Sequence, residues 1–347
     1  MTNPTILSAE DNPIPTQEAP EAVAEAAPEP AAIIEPPPAP APLRLLRRLP
    51  FPAWWLGAAA AVIVLLVFPI GMMIAHNIDD DAEFGPAAVE ATQSRAVAMA
   101  AALIHREIDV NKWTPNKPFF MPAGWLDNMP SYQTGIVSSL ARFAAAIIDE
   151  RGPGAGDLDL MRAAGLLKYP GTIWKFDPRS SWLPTASAEK QYRNAQRAFD
   201  LFNDHLSKGS TTFDRRPESL AALLDSMARD LDEAGDVTER HMAEGYPALL
   251  DFSSDDVFYA NKGHAYAYSL LMRELAWDYN QVLTERRLGP TWTKLVDSLR
   301  AAAQPRPLMV VAAATDATVL PNHLLAQGFY LLRARALAGD LAAALRK

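Results

Sequence analysis

From Trp54 to Ala75 the chain runs WWLGAAAAVIVLLVFPIGMMIA, 22 residues without a charge. At a rise of about 1.5 Å per residue, a helix of that length measures about 33 Å, the hydrocarbon thickness of a bilayer. Helices buried in soluble proteins rarely stay uncharged for so long, so the run predicts a membrane span. Trp54 and Trp55 stand at one end, where indoles favour the headgroup region. Pro69 and Gly71 are tolerable in such a helix and predict a kink in its outer half.

The flanks set an orientation. Arg44, Arg47 and Arg48 precede the span, and Asp79, Asp80, Asp81 and Glu83 follow it. Basic residues are retained on the cytoplasmic side, so the N-terminus is expected inside and everything after Ala75 outside. A cleavable signal peptide fits less well: the run is too long, begins after some fifty residues and is followed by no clean Ala-x-Ala site. Residues 44–76 are therefore read as a basic flank and a single signal anchor.

Residues 1–43 are a different polymer. Up to Pro42 they hold eleven prolines, seven acidic residues, no Lys or Arg and no aromatic residue. Such a segment cannot bury enough apolar surface to offset its ordering entropy, and a disordered, polyproline-like cytoplasmic tail is expected.

Residues 79–347 form the exported domain, with 29 basic and 34 acidic residues. Arg outnumbers Lys by 23 to 9 and alanine is abundant, as in GC-rich bacterial genomes, which points to the periplasm beyond a bacterial inner membrane. The chain has no cysteine, which excludes disulfides, thiol catalysis and cysteine-bearing zinc sites. A formal net charge of -9 argues against binding nucleic acid by backbone neutralisation.

Helical periodicity dominates this domain, and glycine-rich hairpins between alternating runs are absent, so an all-α fold is predicted. Helices are expected from Pro86 through Ile108, from about Ser131 to Glu150, from the cap Asp157 to Leu167 and from Ser187 to Leu206. Another should begin at Pro217 and stop before Gly235. The next, from Ser253–Ser254 to Leu288, carries two apolar stripes. Tyr259, Tyr266, Leu270 and Trp277 share one, while Val257, His264, Tyr268, Leu271 and Leu275 share the other. A helix covered on two sides is expected to run through the middle of the domain. Pro290 and Pro321 open two more helices, with Leu308 to Leu320 as helix or loop between them. Gly135, Gly263 and Gly328 each precede an apolar helical stretch, a spacing too loose for a solenoid.

Two passages lack helical period: NKWTPNKPFFMPAGWLDN (Asn111 to Asn128) and KFDPRSSWLP (Lys175 to Pro184). Each is expected either to fold down on the helices or to stand exposed for binding. The blocks FFMPAGWLDNMPSYQTGI, LLKYPGTIWKFDPRSSWLPTASAEKQYR and DDVFYANKGHAYAYSLLMREL resemble an uncharacterised proteobacterial family of single-pass membrane proteins, domain of unknown function DUF2333. The resemblance covers the chain after about residue 50. It implies an inner-membrane protein with a helical exported domain, and brings no activity, cofactor or catalytic residue.

Catalytic motifs are missing. G-x-S-x-G, H-E-x-x-H and both phosphate-binding glycine motifs are absent. Asp255 and Asp256 read as helix caps, since adjacent helical residues point about 100° apart. His241 and Glu244 have metal-ligand spacing but no visible third ligand, and His264 reads as a hydrogen-bonded core histidine. No metal or cofactor is called for. The expected role is a partner-binding or scaffold protein of the cell envelope, contacting lipid through residues 54–75 and an envelope protein through its domain. The rival expectation is a cell-wall glycan-binding protein or hydrolase. Its stacking surfaces would be Trp113, Trp125, Trp174 and Trp182 and its carboxylates Asp127, Asp177 and Asp256, with two carboxylates about 5 to 10 Å apart across a cleft.

Overall fold

Two glycines decide how the helices meet. In the computed structural model, α3 (Asn128–Asp149) and α7 (Ser253–Asp278) cross with their backbones in contact. A Cβ at Gly135 would lie 2.2 Å from the Ala260 carbonyl oxygen, and one at Gly263 would lie 2.1 Å from that of Tyr132. The contacts climb in step, Ser131 to Asp256, Gly135 to Ala260 and Ser139 to His264, so the two helices run in the same direction. These glycines mark a crossing point and not the start of a repeat.

The structure describes residues 53–149, 157–176, 183–243, 253–307, 310 and 322–347. The tail at 1–43 and its basic flank, Glu244, Asp177, Trp182 and all of Leu308 to Leu320 except Val310 lie outside these residues. The chain divides into a unit ending at Leu56 and a second, from Gly57 onward, which holds the domain.

Among the described residues the fold is helical with no strand. The apolar run forms α1 (Ala53–Ala75), long and apolar enough to cross a membrane. Then come α2 (Arg95–His105), a π-helical turn (Arg106–Val110), a 3₁₀ turn (Pro122–Trp125) and α3. They are followed by α4 (Leu158–Leu167), α5 (Ala188–Ser207), α6 (Pro217–Ala243), α7, α8 (Asn280–Glu285), α9 (Gly289–Ala303) and α10 (His323–Leu345). As its two stripes require, α7 occupies the middle, packed on α2, α3, α9 and part of α10. The α4–α5 pair covers α2 and α3, and α10 lies along α6 and α9.

Local capping explains the boundaries that match the expectation. Asp157 accepts from the N–H groups of Asp159 and Leu160, Ser187 from Lys190 and Asn322 from Leu325. Gly209, at φ +71°, supplies the left-handed residue after α5.

Four expectations are corrected. The helix expected from Pro86 begins at Arg95, because the Asp278 carboxylate reaches across from α7 to accept from Ser94 Oγ at 2.7 Å and from the N–H groups of Arg95 and Ala96. Gly235 lies within α6, whose packing along α10 outweighs the roughly 1 kcal/mol that an interior glycine costs. The helix expected to reach Leu288 breaks at Tyr279, whose hydroxyl donates to the Asp214 carbonyl at 2.7 Å and whose ring meets Phe213. Trp277, placed on a buried stripe, is 66% exposed, with the Arg95 guanidinium 5.1 Å above its ring.

The crossing generates a stability prediction. Gly135→Ala or Gly263→Ala must push two helix backbones apart and should each destabilise the protein by about 2 kcal/mol or more. Gly328→Ala, facing open space inside α10, should stabilise by about 0.5–1 kcal/mol. Thermal unfolding followed by circular dichroism checks both signs.

Candidate functional site

The segment that leaves α1 does not hang free. From Asp79 to Phe84 it lies as a strap along one face of α7, held at nearly every residue. The Tyr132 hydroxyl donates to the Asp79 carbonyl and the Tyr266 hydroxyl to that of Asp81, each at 2.7 Å. Arg273 donates to the carbonyls of Ala82 (2.6 Å) and Phe84 (2.5 Å). Lys262, Tyr266 and Arg273 are spaced by four and seven residues, which places them on one helical stripe. Trp277 continues that stripe one turn past Arg273, beyond the strap, which is why it emerges into solvent.

At the centre of the strap is a buried ion cluster. The Lys262 side chain is wholly buried and donates from Nζ to Asp80 Oδ2 at 2.5 Å, and to the carbonyls of Ala303 and Pro305 at the end of α9. Arg306 pairs with both oxygens of Asp80 from the outside. A second cluster sits beside it at the π-helical turn. Arg106 donates to the Tyr266 hydroxyl at 2.7 Å and pairs with Glu107, which also accepts from Gln133 at 3.2 Å and Asn111 at 3.3 Å. Burial opposes the charge on Arg106, but Glu107 and the neighbouring tyrosines more than offset it and raise its pKa. Burial pushes the Glu107 carboxyl above its usual range despite these partners. The two clusters join α1's exit to α2, α3, α7 and α9 through charged hydrogen bonds shielded from water.

A polar chain threads the far side of the α3–α7 crossing. His264 Nδ1 lies 2.8 Å from Ser139 Oγ, the Ser139 hydroxyl meets the Tyr268 phenol, and Tyr268 donates to Asp230 on α6. Arg142 closes the chain, 2.7 Å from both Asp230 and Glu233. A cleft of about 270 Å³ opens there between Ser138, Arg142, Asp230, Glu233 and His264. Burial, and then the Arg142 charge, pull His264 down to about 4, so it is neutral at physiological pH. Ser139 is wholly buried and cannot meet a substrate as a nucleophile, while Arg142 ties up the Asp230 carboxylate. The arrangement stabilises a neutral imidazole at a cleft wall and couples three helices.

The aromatic and carboxylate candidates scatter. Trp113 is 1% exposed; its indole meets the Tyr192 ring at 5.0 Å and donates to the Gly171 carbonyl, so it is core and not a stacking surface. Trp125 is exposed and Trp174 half-buried. Asp127 accepts from the Asn128 N–H, and Asp256 from Ser131 Oγ at 2.8 Å, each at the start of a helix. Neither carboxylate lines the small cleft or the two larger ones, of about 510 and 610 Å³. Asp177 and Trp182 lie outside the described residues. Among those residues there is no group of three metal-ligating side chains. His241 bonds Ser254 across the start of α7.

Sequence reasoning passed over Asp80, Lys262, Arg273, Arg106 and Glu107. One signal was present: Lys262 is the one lysine or arginine between Asp256 and Arg273, in a stretch that apart from Asn261 and His264 is aromatic, small or apolar. A lone lysine in such a helix needs a carboxylate from elsewhere in the chain.

Two outcomes follow. Asp80→Ala leaves Lys262 buried without its carboxylate and should cost about 3 kcal/mol or more, whereas Asp232→Ala, which breaks an exposed pair with Arg335, should cost less than about 1 kcal/mol. Limited proteolysis should find new cleavage between residues 78 and 94 only in the first variant. For His264, the unfolded state binds the extra proton first, so its contribution is complete above about pH 6.5 and is lost as pH falls towards 4. His264→Gln should flatten the stability-versus-pH slope in that window, by up to about 3 kcal/mol across it, in denaturant titrations at stepped pH.

No curated protein and no solved structure matches the chain. Residues 251–347, which hold α7 to α10, match a family model described as an uncharacterized protein conserved in bacteria, DUF2333.

Proposed function

We propose that this is a membrane-anchored protein of the bacterial cell envelope, with its N-terminus in the cytoplasm and its helical domain in the periplasm, acting as a partner-binding or scaffold protein. The span supports the anchor: α1 is apolar along its length and exposed over most of it, so lipid is the solvent that suits it. The arginines before it and the carboxylates after it favour the stated orientation. The buried strap suits a scaffold, because it makes the anchor and the domain one body.

The observation that carries the binding reading is a stripe on α10. Leu325, Phe329 and Leu332, at steps of four and three residues, are exposed at 43, 60 and 54% while the opposite face of the helix is buried. That spacing is what an apolar helix face offers to another helix or groove. The partner that fits is a helical envelope protein with a matching apolar face.

Reporter fusions after Lys347 test the orientation: an alkaline phosphatase fusion should be active and a fluorescent-protein fusion exported by the same route dark, and the reverse would overturn it. A photocrosslinker at Phe329 of the full-length protein in intact cells should give an adduct of discrete mass. Leu325→Glu should abolish that adduct while leaving the melting temperature unchanged. Absence of any adduct, or one indifferent to Leu325→Glu, counts against binding through this face.

A further inference from the structure

The first aromatic passage does two things at once. Trp113, Thr114 and Asn116 are buried, and Asn116 ties the passage to the residues just before the second one by donating to the Ile173 carbonyl at 3.1 Å. Phe119, Phe120 and Trp125 then turn outward, 78, 54 and 63% exposed, and Phe176 of the second passage is 51% exposed. Their rings form a chain: Phe119 to Phe120 at 5.8 Å, Phe120 to Trp174 at 6.0 Å, Trp174 to Phe176 at 5.6 Å. Water is a poor solvent for a continuous aromatic surface of this kind.

Its position indicates what covers it. The Pro122 ring fills the place of a side chain at Gly71, where a Cβ would stand 2.6 Å from Pro122 Cγ. The Trp125 ring meets that of Phe68 edge-on at 6.2 Å. Gly71 and Phe68 lie four and seven residues before the end of α1, hence about 6 and 10 Å inside the span. A loop seated on α1 at that depth lies below the surface of whatever bilayer α1 crosses. Its chemistry agrees: there is no acidic residue from Lys112 to Leu126, and the Lys175 ammonium lies 5.3 Å from the Phe176 ring, a cation beside an aromatic at the rim.

We propose that the aromatic surface of residues 119–125 and 174–176 inserts into the headgroup–acyl boundary of the leaflet that the C-terminal end of α1 crosses, giving the domain a second contact with phospholipid. The inference rests on the reading of α1 as a membrane anchor. It makes the membrane, and not a glycan or a protein, the occupant of the aromatic loops. Insertion to this depth is what amphipathic surface segments reach.

The native chain lacks cysteine, so single substitutions report one site each. The full-length protein, carrying Phe119→Cys, Phe176→Cys, Ile70→Cys or Glu285→Cys and a nitroxide label, is reconstituted in vesicles of phosphatidylethanolamine and phosphatidylglycerol. Collision with oxygen and with a water-soluble nickel chelate is measured by electron paramagnetic resonance. Ile70 reports the span, and exposed Glu285 reports water. Labels at Phe119 and Phe176 should show a several-fold higher oxygen-to-nickel ratio than Glu285, approaching Ile70. If they match Glu285 while Ile70 stays shielded from nickel, the inference is overturned and the anchor stands. If Ile70 itself is open to nickel, the anchor reading fails and the inference falls with it. Phe119→Ser with Phe120→Ser should bring the Phe176 label into nickel contact; an unchanged ratio there would also overturn it.

Discussion

The Gly135–Gly263 contact sets the geometry of everything around it. With two backbones touching, α3 and α7 approach closely enough for side chains on either side of the crossing to meet across it. On one side this brings the Tyr132 and Tyr266 rings to 6.0 Å, where their hydroxyls reach the strap. On the other it brings Ser139 to His264 and, through Tyr268, to α6. A side chain at either glycine would separate both sets together, because they hang from one contact. Close backbone approach therefore supports the polar chemistry here more than the apolar core does.

The buried ions follow from that closeness. The Lys262 side chain is wholly buried, so its charge persists only with Asp80 and the carbonyls of Ala303 and Pro305 around it. A pair of this kind adds little net stability over an apolar replacement. What it does add is a single register, since Asp80 can be satisfied at one place on α7, with Tyr266 and Arg273 fixing the residues that follow. The strap is specified by charge where hydrophobic contact alone would let it slide.

Much of the fold was legible because its signals are local. The uncharged run, the caps at Asp157 and Ser187, and the proline starts at Pro217 and Pro290 each state their element within a few residues. The misread boundaries depend on distant residues. The start of α2 is set by Asp278, and the break after α7 by Asp214 and Phe213. The same holds for the site: Asp80 and Lys262 are 182 positions apart, and Asp79 to Asp81 read as an acidic membrane flank until the fold brings Asp80 inside. Gly135 and Gly263 looked like helix punctuation, because a crossing point leaves no periodic trace. The aromatic passages were read as either folded down or exposed. They are both: Trp113 is anchored within and Phe119 stands outside, because residues that hold a loop and residues that it presents share one composition.

The strap also fixes how far the domain can travel. Were residues 76 to 94 a slack tether, they would let it range about 60 Å from the end of α1. Only His76 separates that end from Asn77, whose side chain already donates to Asn111 at 2.9 Å, and the clamped stretch follows directly. The domain thus has almost no leash. With α1 in a bilayer, its search volume shrinks to a shell one domain thick against the membrane, and its effective concentration toward anything in that shell rises accordingly.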